Sequence, residues 1–169
     1  SSANLGPGFD VFGLALEQPN DKVTIAATSL SGVRIKVLGV SATTISSLPE
    51  KNTAGIVANH IIREFSLKTG VNIKIEKGIW PSKGLGSSAA SAASTAYGMN
   101  CLFNLKLSNE QMVKLASKGE AASAGSEHAD NVSAAIYGDF TIVRSYKPLE
   151  IINLKAPTNM QVCAAFPHM

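Results

Sequence analysis

Cysteine and histidine are scarce in this chain, and their scarcity closes off several chemistries. Cys101 and Cys163 are the only 2 cysteines among 169 residues. That is too few for a secreted disulfide scaffold, and neither sits in a Cys-x-x-Cys pattern, so both read as reduced core thiols. The 3 histidines, His60, His128 and His168, show no ligand spacing and have no cysteine partner, which argues against zinc. Aromatic residues make up 6% of the chain, and the tyrosines are not interleaved with arginines as on an RNA-binding face. The formal net charge is only +3, and the lysines are scattered. Neither nucleic acid nor a membrane surface is therefore an expected partner. No apolar run approaches a membrane span and no signal-peptide pattern opens the chain, so the expected compartment is the cytoplasm.

What is present is an ordinary apolar fraction, 45%, enough for a packed core. Lys22–Ala27, Val33–Val37 and Val71–Glu76 alternate apolar and polar residues and are expected strands. A hairpin is expected between the first two, around Ser29, Ser31 and Gly32. Phe140–Val143, Leu149–Leu154 and Gln161–Phe166 are further strand candidates. Ile56, Val57, Ile61, Ile62 and Phe65 recur at helical spacing with Asn52 as the cap. A second helix should begin at Ser108, capped reciprocally by Gln111, with Leu107 stapled onto Met112, and be limited or interrupted by Gly119 and Gly125. Strands outnumber helices without a regular strand–helix–strand repeat, so the fold class is α+β, a sheet with helices packed on one face. Both ends read as cut. The chain opens on a polar turn and closes on Val162–Phe166, which looks like a buried strand leading elsewhere.

Three loops hold most of the unusual polar residues, and loops on a rigid scaffold are where function concentrates. In the first, Asn4, Gly6, Pro7, Gly8 and Asp10 are dense enough to forbid a regular strand. The middle loop, Lys83-Gly84-Leu85-Gly86-Ser87-Ser88, runs into the alanine-rich stretch Ala89 to about Phe103. Its glycines free the backbone, and the following helix start offers unpaired N–H groups and the positive end of a dipole to an anion. It lacks the Lys-Ser/Thr of a P-loop, and the chain has no Gly-x-Ser-x-Gly elbow. A Ser-His-Asp arrangement of Ser88, His128 and Asp10 or Asp130 is conceivable but poorly supported. Taken alone, the same loop could be a serine-capped turn whose small helix packs tightly. If it wraps a triphosphate, Mg²⁺ must share the charge, and Ser88 with Glu120 could supply its oxygen ligands. In the third loop, Glu120–Asn131, His128 and Asn131 could bind a substrate or simply tie their own turn.

Taken together these motifs resemble the GHMP kinases, small-molecule kinases named for galactose, homoserine, mevalonate and phosphomevalonate. Gly84 to Ala90 is similar to their second motif. Ser2-Ala3-Asn4-Leu5-Gly6-Pro7-Gly8-Phe9-Asp10 is similar to the first motif of the homoserine-phosphorylating branch, and His128-Ala129-Asp130-Asn131-Val132 to its third polar loop. The resemblance implies a GHMP-kinase N-terminal fold (ribosomal protein S5 domain 2-like) over residues 1–155, with 156–169 starting a second domain. It implies that Lys83, Gly84, Leu85, Gly86, Ser87, Ser88, Ala89 and Ala90 wrap the phosphates of ATP, with Asn52 near the nucleoside. Ser88 and Glu120 would bind Mg²⁺. Asn4, Asp10, His128 and Asn131 would line the pocket for L-homoserine, whose side-chain hydroxyl takes the γ-phosphoryl group on the way to threonine. Asn131 and Asp10 would be the catalytic pair, Asp10 by binding substrate first. A homodimer is left open, as are another GHMP specificity (shikimate or mevalonate) and a non-catalytic nucleotide-binding module. One departure concerns the second motif. Pro81 is separated from Gly84 by Ser82 and Lys83 only, one residue fewer than usual in the family.

Overall fold

The computed structural model describes residues 1–124 and 128–165, with only the backbone of 122–124. The strands are β1 (Ser2–Leu5), β2 (Gly8–Leu14), β3 (Lys22–Thr28), β4 (Val33–Gly39), β5 (Gly70–Lys77), β6 (Phe140–Tyr146) and β7 (Leu149–Leu154). The helices are α1 (Thr53–Glu64), α2 (Ser87–Phe103), α3 (Asn109–Ala124) and α4 (Asp130–Tyr137). The class is α+β as expected, with the strands divided between two sheets. One has the order β1-β2-β6-β7 and is antiparallel throughout; the other has the order β3-β5-β4.

The β3–β4 hairpin does not form. β5 lies between these strands, antiparallel to β3 and parallel to β4. The reason is visible in its alternation: Val71, Ile73 and Ile75 are buried while Asn72 and Lys74 are exposed. The strand with the most complete apolar face takes the centre, where helices cover it, and α1 supplies the crossover that a parallel neighbour requires.

The opening residues also depart from expectation, because β1 and β2 form a hairpin through the turn-rich stretch. The turn formers are absorbed one at a time as left-handed residues, Asn4 at φ 57°, Gly6 at 57° and Asp10 at 56°. A register shift between Ala3 and Leu5 accommodates them within the ladder, as bulges do. His128 and Ala129 are loop, but Asp130 and Asn131 begin α4, so the expected loop is partly helix. Gly119 lies inside α3 without breaking it; Gly125, Ser126 and Glu127 fall outside the described residues. Residues 161–165 form no strand, and Val162 is 49% exposed. With no described strand beside them they have nothing to pair with, and Phe166 lies outside the described residues. Both cysteines are exposed, not core thiols. Cys101 sits on the open side of α2.

α2 is the centre of the helical layer, packed against α1, α3, α4 and β3. Ala89, Ala92, Ala93 and Ala96 are buried along it, with Ser91 and Thr95. A helix enclosed on so many sides needs small side chains, which explains the alanine run and its weak amphipathic pattern. Around it Val57, Ile61, Val71, Ile73, Ile75, Met99, Val113 and Val132 are almost wholly buried. Each such side chain is worth about 1.5–3 kcal/mol of apolar burial.

The α1–α3 contact is equally tight. A Cβ at Gly119 would stand 2.8 Å from Val57 Cγ2 and 2.9 Å from the Thr53 carbonyl oxygen. Gly119→Ala should therefore push α3 away from α1 and destabilise the fold by about 1–3 kcal/mol, the usual cost of overpacking. Chemical denaturation measures this, and an unchanged midpoint would show that the helix spacing is not set at Gly119.

Candidate functional site

The local physics of α2 leaves its first turn open. Its cap residue is Gly86, at φ 61°, and no side chain caps the helix. The positive φ favours glycine, and the site is crowded besides: a Cβ there would lie 2.5 Å from Ser1 Oγ and 2.7 Å from Asn131 Oδ1. The uncapped N–H groups and the helix dipole face a cavity of about 440 Å³. Its walls include Lys51, Asn52, Gly84, Gly86, Ser88, Glu120 and Asn131.

Helices α2, α3 and α4, with the segments leading into α1 and α2, supply these groups. Ser88, in the first turn of α2, donates its hydroxyl to Glu120 Oε2 at 2.9 Å. Glu120 is 9% exposed and comes from α3; the close α1–α3 approach at Gly119 brings it in. Its Oε1 is buried and has no hydrogen-bond partner among the described residues. Burial pushes the Glu120 carboxyl above the usual range, offset in part by the Ser88 hydroxyl. A buried carboxylate with one orphaned oxygen, beside a serine whose lone pairs remain available, is a donor set suited to a hard cation. Ser88 can donate to Glu120 and still ligate through its oxygen. Because that hydroxyl is bonded to Glu120, and His128 is placed against Asp10, a Ser88–His128 catalytic pair is not what the fold builds.

Asn131, in the first turn of α4, lines the same cavity, and its Oδ1 accepts from Ser1 Oγ at 3.1 Å. Its neighbour Asp130 is buried and turns back to accept from the Asn131 N–H at 2.7 Å. Burial raises the Asp130 carboxyl, against the pull of that N–H. On the other side lies the cluster of Asn4, Asp10 and His128. Asn4 Oδ1 accepts from the Asp10 N–H at 2.9 Å, and His128 Nδ1 lies 3.1 Å from Asp10 Oδ1. The Tyr146 hydroxyl, at the end of β6, donates to the Asp10 carbonyl at 2.9 Å. Asp10 is thus gripped at its N–H, its carbonyl and its carboxylate, which holds a left-handed residue in place.

The remaining sequence candidates are placed unevenly. Asn52 lines the cavity, but its side chain is occupied: Oδ1 caps α1 at the Ala54 N–H, 3.0 Å, and Nδ2 donates to the Ser46 carbonyl at 2.7 Å. Ser87 spends its hydroxyl on the Ile79 carbonyl at 3.0 Å. Ala89 is wholly buried, and Lys83, Ala89 and Ala90 are not among the residues lining the cavity. Two buried charged neighbours escaped the sequence reading. Lys77, at the end of β5, and Asp21, before β3, form an ion pair beneath the loop, with side chains 3% and 0% exposed. Desolvation lowers the Lys77 ammonium, with Asp21 opposing. The signal was an inward-facing lysine on the otherwise apolar face of β5.

The raised Glu120 carboxyl has a stability consequence. A carboxyl raised by folding binds its proton more tightly in the folded chain, so its burial is tolerated at low pH and costs stability as pH rises past its ordinary value of 4.5. Glu120→Gln should therefore leave the metal-free protein unchanged in acid and stabilise it at neutral pH. Melting curves of both proteins between about pH 4 and pH 7.5 test this. A difference that does not grow with pH would show that Glu120 carries no such strain.

Residues 52–139 match the family of the GHMP kinases N terminal domain. The homoserine kinase of Methanococcus vannielii is 48% identical over all 169 residues, which cover 55% of that protein. The chain thus spans about half the length of the curated relatives it matches. Among solved structures, homoserine kinase from Cytophaga hutchinsonii superposes with a TM-score of 0.87 at 36% identity, covering 94% of this chain and 50% of that one. The Methanococcus jannaschii mevalonate kinase, at TM-score 0.62 and 19% identity over 80% of this chain and 46% of that one, shares the fold. No described helix is long and apolar enough to cross a membrane. The match over more than half of the chain, with the open α2 turn and its buried glutamate at the centre of the matched region, makes this chain a member of the GHMP kinases.

Proposed function

We propose that the chain supplies the ATP-binding part of a kinase that transfers the γ-phosphoryl group of ATP to the side-chain hydroxyl of L-homoserine. The observation that carries this reading is the Ser88–Glu120 contact with its orphaned Oε1, set at the uncapped start of α2 and in the same cavity as Asn131. The homoserine kinases among the relatives support the acceptor assignment. In this reading residues 1–155 are the N-terminal ATP-binding domain, and 156–169 begin a second domain that completes the site in a cytoplasmic enzyme.

The free N–H groups at the start of α2, with the backbone of the Gly84–Ala90 segment, bind the phosphates, and Lys83, outside the cavity lining, adds positive charge from the same loop. Asn52 borders the nucleoside. Ser88 and Glu120 hold Mg²⁺, which when bound neutralises phosphate charge and orients the transferring group. On the acceptor side Asn4 and His128 fix Asp10, whose carboxylate binds homoserine, and Asn131, on the cavity wall, serves the hydroxyl and a phosphate oxygen together. Its amide can donate and accept at once. Such a transfer depends on positioning and charge stabilisation more than on covalent help.

In the intact enzyme, Ser88→Ala and Glu120→Ala should each reduce Mg²⁺-dependent turnover by about 10²-fold or more, the scale of losing one preorganised electrostatic contact. Near-parental rates in both would remove the metal assignment. Assay of L-homoserine against mevalonate, shikimate and other hydroxyl acceptors decides the acceptor, and no turnover with homoserine would overturn this proposal.

A further inference from the structure

Lys77 lines the cavity, and its pair with Asp21 behind the wall laces together the turn after β5 and the start of α2. Asp21 Oδ1 accepts from the N–H groups of Gly78 and Ile79, both at 3.0 Å. The Ile79 carbonyl in turn accepts the Ser87 hydroxyl, at 3.0 Å, and Lys77 Nζ donates back to the Ser87 carbonyl, at 2.8 Å. Lys77 also donates to Asp21 and to Ser91 Oγ, at 3.0 Å for the serine, while Ser91 Oγ lies 3.2 Å from Asp21 Oδ2. An ammonium has three protons. All three are engaged by the protein.

We propose that Asp21 and Lys77 are positioning residues for the nucleotide. Together they fix the turn at Gly78–Ile79 and the Ser87 carbonyl, and so aim the free N–H groups of α2 at the phosphates. This rests on reading the cavity as the phosphate site. It assigns Lys77 a part different from direct phosphate contact, since its donors are already spent inside the fold. The side chains lie too deep to be a surface ion pair of small consequence.

Removing one partner alone leaves a buried charge without its counter-ion, which destabilises by itself. The test therefore pairs Asp21→Asn, which keeps an acceptor for the Gly78 and Ile79 N–H groups, with the double variant Asp21→Asn/Lys77→Met, which removes both charges of the pair. Mg-ATP binding to the intact protein is followed by calorimetry, alongside KM values for ATP and acceptor and thermal melts. Nucleotide affinity should fall by about tenfold to a hundredfold in both variants, the scale of a small misplacement of a preorganised site. The acceptor KM should stay unchanged, and the double variant should remain folded. Unchanged nucleotide affinity in a folded double variant would overturn the proposal. Tighter binding in Asp21→Asn would overturn it too, by showing that Asp21 restrains a lysine meant for phosphate. If the parent protein itself does not bind Mg-ATP, the nucleotide reading of the cavity has failed, which the parent titration alone reveals.

Discussion

The structure depends on the slenderness of α2. Ala89, Ala92, Ala93 and Ala96 are buried among α1, α3, α4 and β3, and only side chains this small let three helices approach one helix closely. Close packing leaves almost no room for relaxation. The same thinness that gives the helix its place in the core delivers Glu120 and Asn131 to its first turn, one from α3 and the other from α4. The site is a by-product of how the core is packed, and it is as rigid as the core is.

At that first turn the electrostatics are arranged in opposition. The uncapped N–H groups present positive potential to the cavity, and the protein places a buried carboxylate beside them with one oxygen unsatisfied. Burial works against both neighbouring charges, raising the Glu120 carboxyl and lowering the Lys77 ammonium. Lys77 is compensated by Asp21 and two serines inside the fold. Among the described residues Glu120 has one hydrogen bond, from Ser88, with longer-range help from the His128 and Lys77 charges.

Much of this was legible in the sequence where a single local rule governs. Asn52 caps α1, and Ser108 and Gln111 cap α3 reciprocally, at 2.8 and 3.3 Å, because capping needs only neighbours in the chain. β5 was readable from its alternation and α2 from its alanines. The β3–β4 hairpin was misread because local turn chemistry says nothing about a third strand arriving from residue 70 to pair between them. The β1–β2 stretch was misread because positive-φ residues signal a loop unless a ladder absorbs them. The candidates Ser88, Glu120, Asp10, His128 and Asn131 came from motifs, and the structure places Ser88 against Glu120 and Asp10 against His128. Asp21 was invisible in sequence, since its importance comes from contacts with residues more than fifty positions away.

The depth of the Asp21–Lys77 pair has a bearing on how the site responds to its surroundings. Mobile ions screen exposed charges over about 8 Å at physiological ionic strength, but they reach buried pairs poorly. With both side chains almost fully enclosed, the floor of the cavity keeps its geometry as salt rises or falls. The uncapped N–H groups at the open end of α2 face the cavity without such shelter. Salt therefore weakens their pull on any anion while leaving the geometry beneath them in place.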